Sequence, residues 1–185
     1  MTASDAPARA PFSILVLCTG NSARSQLAEA ILATRGVKRP MGPVVAASAG
    51  TRPASQVNEY AITALQFHGI AWRHAAPKHV DTLKDRAFDL VITVCDDAKE
   101  ACPVFLGAKA QVHWGLPDPA VHISPATARA AFSATFDALA KRINALLRLP
   151  LETLAPDELR AQAQAIHDSL AAPPARTSAR LRHNT

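Results

Sequence analysis

Apolar positions along this chain alternate between short continuous runs and longer stretches with helical spacing. Phe12 to Leu17 is an apolar run broken at Gly20, the pattern of a central parallel strand buried on both faces. Ser25 to Arg35 follows with Leu27, Ala28, Ile31 and Leu32 on one face, and Gly36 stands where a helix-terminating glycine belongs. Pro43 to Ala47 reads as a second strand, with a tight turn after it at Ser48-Ala49-Gly50. A helix is predicted over Val57 to His68, ending at Gly69, and a helix-like stretch over Val80 to Arg86. Phe88 to Val94 is a strand rich in branched residues, and Gln111 to Trp114 is a weaker one. Long helical periodicity covers Ala126 to Leu149, and an amphipathic helix is predicted over Pro156 to Leu170. Trp114 and Phe88 read as core residues.

Strands separated by helices specify an α/β fold: an open four-stranded parallel sheet flanked by helices on both faces, with ligands at the carboxyl ends of the strands. The expected organisation is a flexible N-terminus over 1–11, one domain over 12–149, a C-terminal helical extension over 150–171 and a flexible basic tail over 172–185. There is no internal repeat.

Composition narrows the function classes. With 49% hydrophobic and 19% charged residues the chain can bury a core, which excludes wholesale disorder. No apolar stretch is long enough for a membrane span, and no basic start followed by an apolar run marks a secretory signal, so a cytoplasmic protein without membrane association is expected. In that compartment three cysteines read as reactive or buried thiols before they read as bridges. The net charge is +5, but Arg176, Arg180 and Arg182 supply +3 of it. Nucleic acid is therefore not the expected partner, since aromatic and basic residues do not interleave elsewhere.

The chemistry concentrates in Cys18-Thr19-Gly20-Asn21-Ser22-Ala23-Arg24-Ser25, between the first strand and the first helix. A loop wound there turns successive backbone N–H groups inward, and the helix adds its positive end, making a nest for a tetrahedral oxyanion. Gly20 and Asn21 suit the left-handed backbone of such a nest. Arg24 can grip two oxygens through its planar fork, and Cys18 faces the central atom as a thiolate nucleophile whose pKa the same field depresses. Ser25 can donate to that sulfur or to a leaving group. The plain alternative is a small buried cysteine ending a strand.

With this loop, the Ser48-Ala49-Gly50 turn, Val91 to Cys95, Cys102-Pro103, and His113-Trp114-Gly115 leading to Asp118-Pro119-Ala120, the sequence resembles the low-molecular-weight protein tyrosine phosphatase superfamily. Within that superfamily it is similar to the thioredoxin-coupled arsenate reductases over roughly Phe12 to Leu147, leaving the chain beyond Leu149 outside the shared core. The resemblance implies that Asp118, stiffened between Pro117 and Pro119, protonates the departing oxygen. Ala120 follows where the tyrosine phosphatases carry an aromatic wall, which favours a small inorganic anion, arsenate or a phosphate-like oxyanion. The loop has Ala23 where many reductases carry another cysteine.

Cys95 and Cys102 match the two extra thiols of the reductases. The resemblance implies a relay in which Cys18 attacks arsenic, Cys95 attacks Cys18 as arsenite leaves, and Cys102 attacks Cys95. The resulting Cys95–Cys102 disulfide would be reduced by an external thiol system, thioredoxin or glutaredoxin. A helix between the two would hold their Cα atoms about 10.5 Å apart. A disulfide needs about 4.4–6.8 Å, so the segment would have to unwind on oxidation. Inert core cysteines are the alternative. The resemblance also implies a potassium ion behind the loop at Asn21, Glu29 and Ser48, against the simpler reading of Glu29 as an exposed helix carboxylate. No tightly bound cofactor is expected, and the histidines lack zinc spacing. The competing function is a phosphatase acting on phosphotyrosine or small phosphate esters through a cysteinyl-phosphate.

Overall fold

β1 (Phe12–Cys18) is apolar on both faces because it runs through the middle of the sheet. In the computed structural model, which describes residues 10–73, 76–94, 105–121 and 124–171, it pairs in parallel with β2 (Val44–Gly50) and with β3 (Phe88–Thr93). β3 pairs in parallel with β4 (Ala108–His113), so the order is β2-β1-β3-β4. All four carboxyl ends therefore share one border.

The alternation of β1 divides the core in two. Ile14, Val16 and Cys18 point to the face covered by α1 (Arg24–Gly36), α2 (Glu59–Phe67), α3 (Pro125–Leu147) and α4 (Pro156–Ala171), whose Leu27, Ile31, Leu65, Phe132, Phe136 and Leu159 complete the larger cluster. Leu15 and Leu17 point to the other face, against Leu83 of a 3-10 turn (Val80–Leu83) and against Phe88 and Phe105. Trp114 and Phe88 are both buried, as expected.

Several elements differ locally from the expectation, each for a physical reason. The second strand does not stop at Ala47: it runs on to Gly50, pairing residue for residue with β1 until Cys18 lies opposite Gly50. Turn-forming residue types there mislead, because parallel pairing carries them into the sheet. Gly36 does not end α1 in a left-handed turn, since the cap is right-handed Val37; a Cβ on Gly36 would stand 2.8 Å from the Cβ of Val44, so it is small to let helix and strand touch. α2 starts at Glu59 because Asn58 accepts from the Tyr60 N–H and fixes the first turn. Val80 to Arg86 makes only the short 3-10 turn. The expectations for most of the two termini lie outside the described residues.

The C-terminal extension packs on the domain. Trp114 donates its indole N–H to the Ala163 carbonyl at 2.9 Å, and Gln164 accepts the outward-facing N–H of His113 at 3.3 Å. α4 thus covers the open edge of β4. Buried Arg142 of α3 donates Nε–H to Nδ1 of His167 on α4 at 3.0 Å.

Candidate active site

The loop from Cys18 to Ser25 is held by its carbonyls. Thr51, Arg52, Ala54 and Asn58 donate backbone N–H groups to the carbonyls of Cys18, Thr19, Gly20 and Ser22, and Leu27 of α1 donates to Ala23. A trans peptide sets its N–H opposite its C=O, so carbonyls drawn outward turn the amides of Thr19, Gly20, Asn21 and Ala23 inward. The Asn21 N–H shows the outcome, donating to the Cys18 sulfur at 3.0 Å. The left-handed backbone falls at Asn21 alone within this loop (φ 46°), and Gly20 is not in that region.

Gly50 lets the loop sit there. A Cβ at Gly50 would lie 2.4 Å from the Thr19 carbonyl oxygen and 3.0 Å from the Asn21 nitrogen. The strand end and the loop therefore touch backbone to backbone.

One amide group sets the proton directions behind the sulfur. The backbone N–H of Lys78 donates to Asn21 Oδ1 at 2.9 Å, which fixes that atom as oxygen and the other as nitrogen. Asn21 Nδ2 then donates to Ser25 Oγ at 2.9 Å and to Ser48 Oγ at 2.7 Å. Having accepted from Asn21, Ser25 turns its own proton to the Cys18 sulfur, 2.9 Å away, and Ser48 turns its proton to Glu29. Two donors thus converge on a buried sulfur.

Arg24 opens α1 at the mouth of the loop. It donates to the Leu116 carbonyl at 2.7 Å and lies 3.4 Å from Asp118 Oδ2. Asp118 is 41% exposed and steadied by the Ala120 N–H on Oδ1. The segment after β4 therefore carries the expected acid to the expected arginine.

Asn21, Glu29 and Ser48 do converge, but they do not fit a potassium ion. Asn21 turns its NH2 rather than its oxygen toward Ser48, its Oδ1 already accepts from Lys78 and Gln26, and the ammonium of Lys78 lies 3.7 Å from Glu29. Nor is Glu29 an exposed helix carboxylate, being only 12% exposed. Sequence reasoning missed Lys78 and also Gln26, which is buried, bonds Asn21 Oδ1 at 3.3 Å and accepts from Trp72. A buried glutamine on the apolar face of α1 was the available signal for the second; the first had none. Cys95 and Cys102 lie outside the described residues.

The comparison with known families fits this loop on a β2-β1-β3-β4 parallel sheet: residues 13–164 match low molecular weight phosphotyrosine protein phosphatase, and the chain belongs to that family. The match reaches beyond Leu149 into α4. Within it, the chain is similar to arsenate reductase 2 of Staphylococcus epidermidis, 35% identical over 108 residues that span 58% of this chain and 79% of that protein. Among solved structures it is similar to an arsenate reductase from Archaeoglobus fulgidus (28% identity, TM-score 0.54, covering 71% of this chain and 98% of that one). A thioredoxin-dependent arsenate reductase of Corynebacterium glutamicum is 27% identical at a TM-score of 0.50, covering 72% of this chain and 62% of that one.

Proposed function

We propose that this chain reduces arsenate to arsenite, as a step of arsenic detoxification in the cytosol. The observation that carries the reading is the Cys18 sulfur, held under the Asn21 N–H and the Ser25 hydroxyl at the floor of an amide-lined loop, with Arg24 and Asp118 at its mouth. Similarity to proteins named arsenate reductases supports the choice of anion.

The Cys18 thiolate attacks arsenic, Asp118 gives a proton to the departing oxygen, and water leaves, forming a thiol ester of arsenic(V). Arg24 and the loop amides carry the charge of the remaining oxygens. The Cys95 thiolate then attacks the Cys18 sulfur. A sulfur–sulfur bond forms, the sulfur–arsenic bond breaks, and its electron pair stays on arsenic, which departs as arsenite. Cys102 attacks Cys95 and releases Cys18 as a thiolate, leaving a Cys95–Cys102 disulfide for an external dithiol to reduce. Supporting this order, Val94, one residue before Cys95, donates its N–H to the carbonyl of Leu17, one residue before Cys18. Thioredoxin is the proposed reductant, by similarity to the thioredoxin-dependent relative, with glutaredoxin as the competing arm. Among the described residues no helix is long and apolar enough to cross a membrane.

Arsenate supplied with thioredoxin, thioredoxin reductase and NADPH tests the reading, with an aryl phosphate assayed in parallel. The expected result is steady NADPH loss that Cys102→Ser abolishes while sparing any ester cleavage. Ester cleavage without arsenate turnover would assign the pocket to a phosphatase instead.

A further inference from the structure

We infer that Lys78 is a built-in cation behind the nucleophile loop, a positioning residue whose ammonium offsets Glu29 and makes the site independent of potassium. The segment carrying it is tied into the site at both ends of one residue: Gly50 N–H donates to the Lys78 carbonyl at 2.9 Å, and Lys78 N–H donates to Asn21 Oδ1 at 2.9 Å. Its side chain then reaches back along the other half of the same circuit, with Nζ 3.7 Å from Glu29 Oε2.

Glu29 is needed there. As the acceptor for the Ser48 hydroxyl it leaves Ser48 only able to accept from Asn21, and Asn21 in turn leaves Ser25 with a proton for Cys18. The same carboxylate is a liability, since a nearly buried negative charge behind a pocket for a polyanion repels the guest across a short, poorly screened path. Lys78 removes the repulsion without disturbing the circuit. Because one residue supplies both the amide that orients Asn21 and the charge that balances Glu29, an external ion has neither a vacant oxygen ring nor an uncompensated charge to answer.

The activity arm rests on the proposed oxyanion chemistry of Cys18, whereas the thermal arm does not. Wild type, Lys78→Met and Lys78→Arg are compared as full chains in potassium chloride and in choline chloride of equal ionic strength. The measurements are phosphate affinity by calorimetry, KM and kcat for arsenate, and melting temperature. Wild type and Lys78→Arg should be indifferent to the salt. Lys78→Met in choline should bind phosphate about tenfold more weakly, with KM rising more than kcat falls. Potassium should not restore its binding, because the backbone N–H of residue 78 still holds Asn21 Oδ1 and leaves no oxygen ring for the ion, and its melting temperature should lie about 2–4 °C below wild type in both salts. A wild type that needs potassium overturns the inference, and so does a Lys78→Met protein that binds phosphate normally in choline or whose binding potassium restores. If Lys78→Met does not fold, the wild-type salt comparison and Lys78→Arg still decide. Absence of phosphate binding by every variant would refute the oxyanion reading, leaving the melting temperatures to judge Lys78.

Discussion

The two ends of the sheet use similar residues to opposite purpose. At the amino end, Arg39 spends its guanidinium on the carbonyls of Leu147, Leu149 and Gly42 and on the carboxylate of Glu152, all of it nearly buried. Beside it, Asp89 gathers the Ser13 N–H and hydroxyl and the Lys109 ammonium. At the carboxyl end, Arg24 touches one carbonyl and a carboxylate that is half in solvent, and the loop amides face a sulfur. An arginine whose partners are all inside the fold is a clamp, while one whose partner lies at the surface can exchange it for a guest. The difference lies in where the acceptors stand, not in residue type.

The sharpest break of that contrast is Cys18→Ser. It should remove arsenate reduction and any ester cleavage to below detection while leaving the melting temperature within a degree or two of wild type. Arg39→Ala should do the reverse, costing about 3 kcal/mol in urea unfolding by removing a buried guanidinium from Glu152 and three backbone carbonyls, with kcat per folded molecule unchanged. Gly50→Ala lies between. Its methyl group meets the Thr19 carbonyl and must push the loop out of place, so kcat/KM should fall about a hundredfold. A normal kcat/KM would show that the backbone contact does not set the loop.

Proton linkage gives the smallest effects, both remote from the sulfur. His167 is lowered by burial first, then by Arg142 and His113, against a raising contribution from Asp168. Arg142 donates to its Nδ1, which requires the neutral ring. The α4 contact should therefore be fully stabilising above the ordinary value of 6.5 and weaken as pH falls through it, with His167→Gln flattening the curve. For Asp89, burial pushes the carboxyl up, but the bonds from Lys109 and Ser13 and the Lys109 charge outweigh it and hold the group below 3.8. Its contribution persists above that value and is lost as pH drops below it. Each should move urea unfolding by under about 1 kcal/mol.

The chain announced its nucleophile loop because the loop is contiguous: strand pattern, glycine, arginine and helix pattern follow one another within Phe12 to Arg35. Asp118 was legible through the family resemblance, since an aspartate between two prolines is by itself an ordinary turn residue. Ser48 to Gly50 was misread as a turn since residue type alone cannot show that parallel pairing with β1 extends to Cys18. Gly36 and Gly50 were both noticed, but for conformational freedom rather than for the neighbours their missing side chains admit. Lys78 carried no local sign whatever. Its importance comes from contacts with residues 57 and 49 positions away, Asn21 and Glu29.

The helix laid along β4 carries a consequence for the molecule's behaviour in a crowd. Gln164 occupies an outward amide of the border strand, and Ala163 anchors the indole that follows it. A chain lacking α4 would present an unguarded row of peptide groups beside a bared tryptophan, the template on which one sheet continues into the next. α4 closes that border by bonding its last amide and the indole beside it.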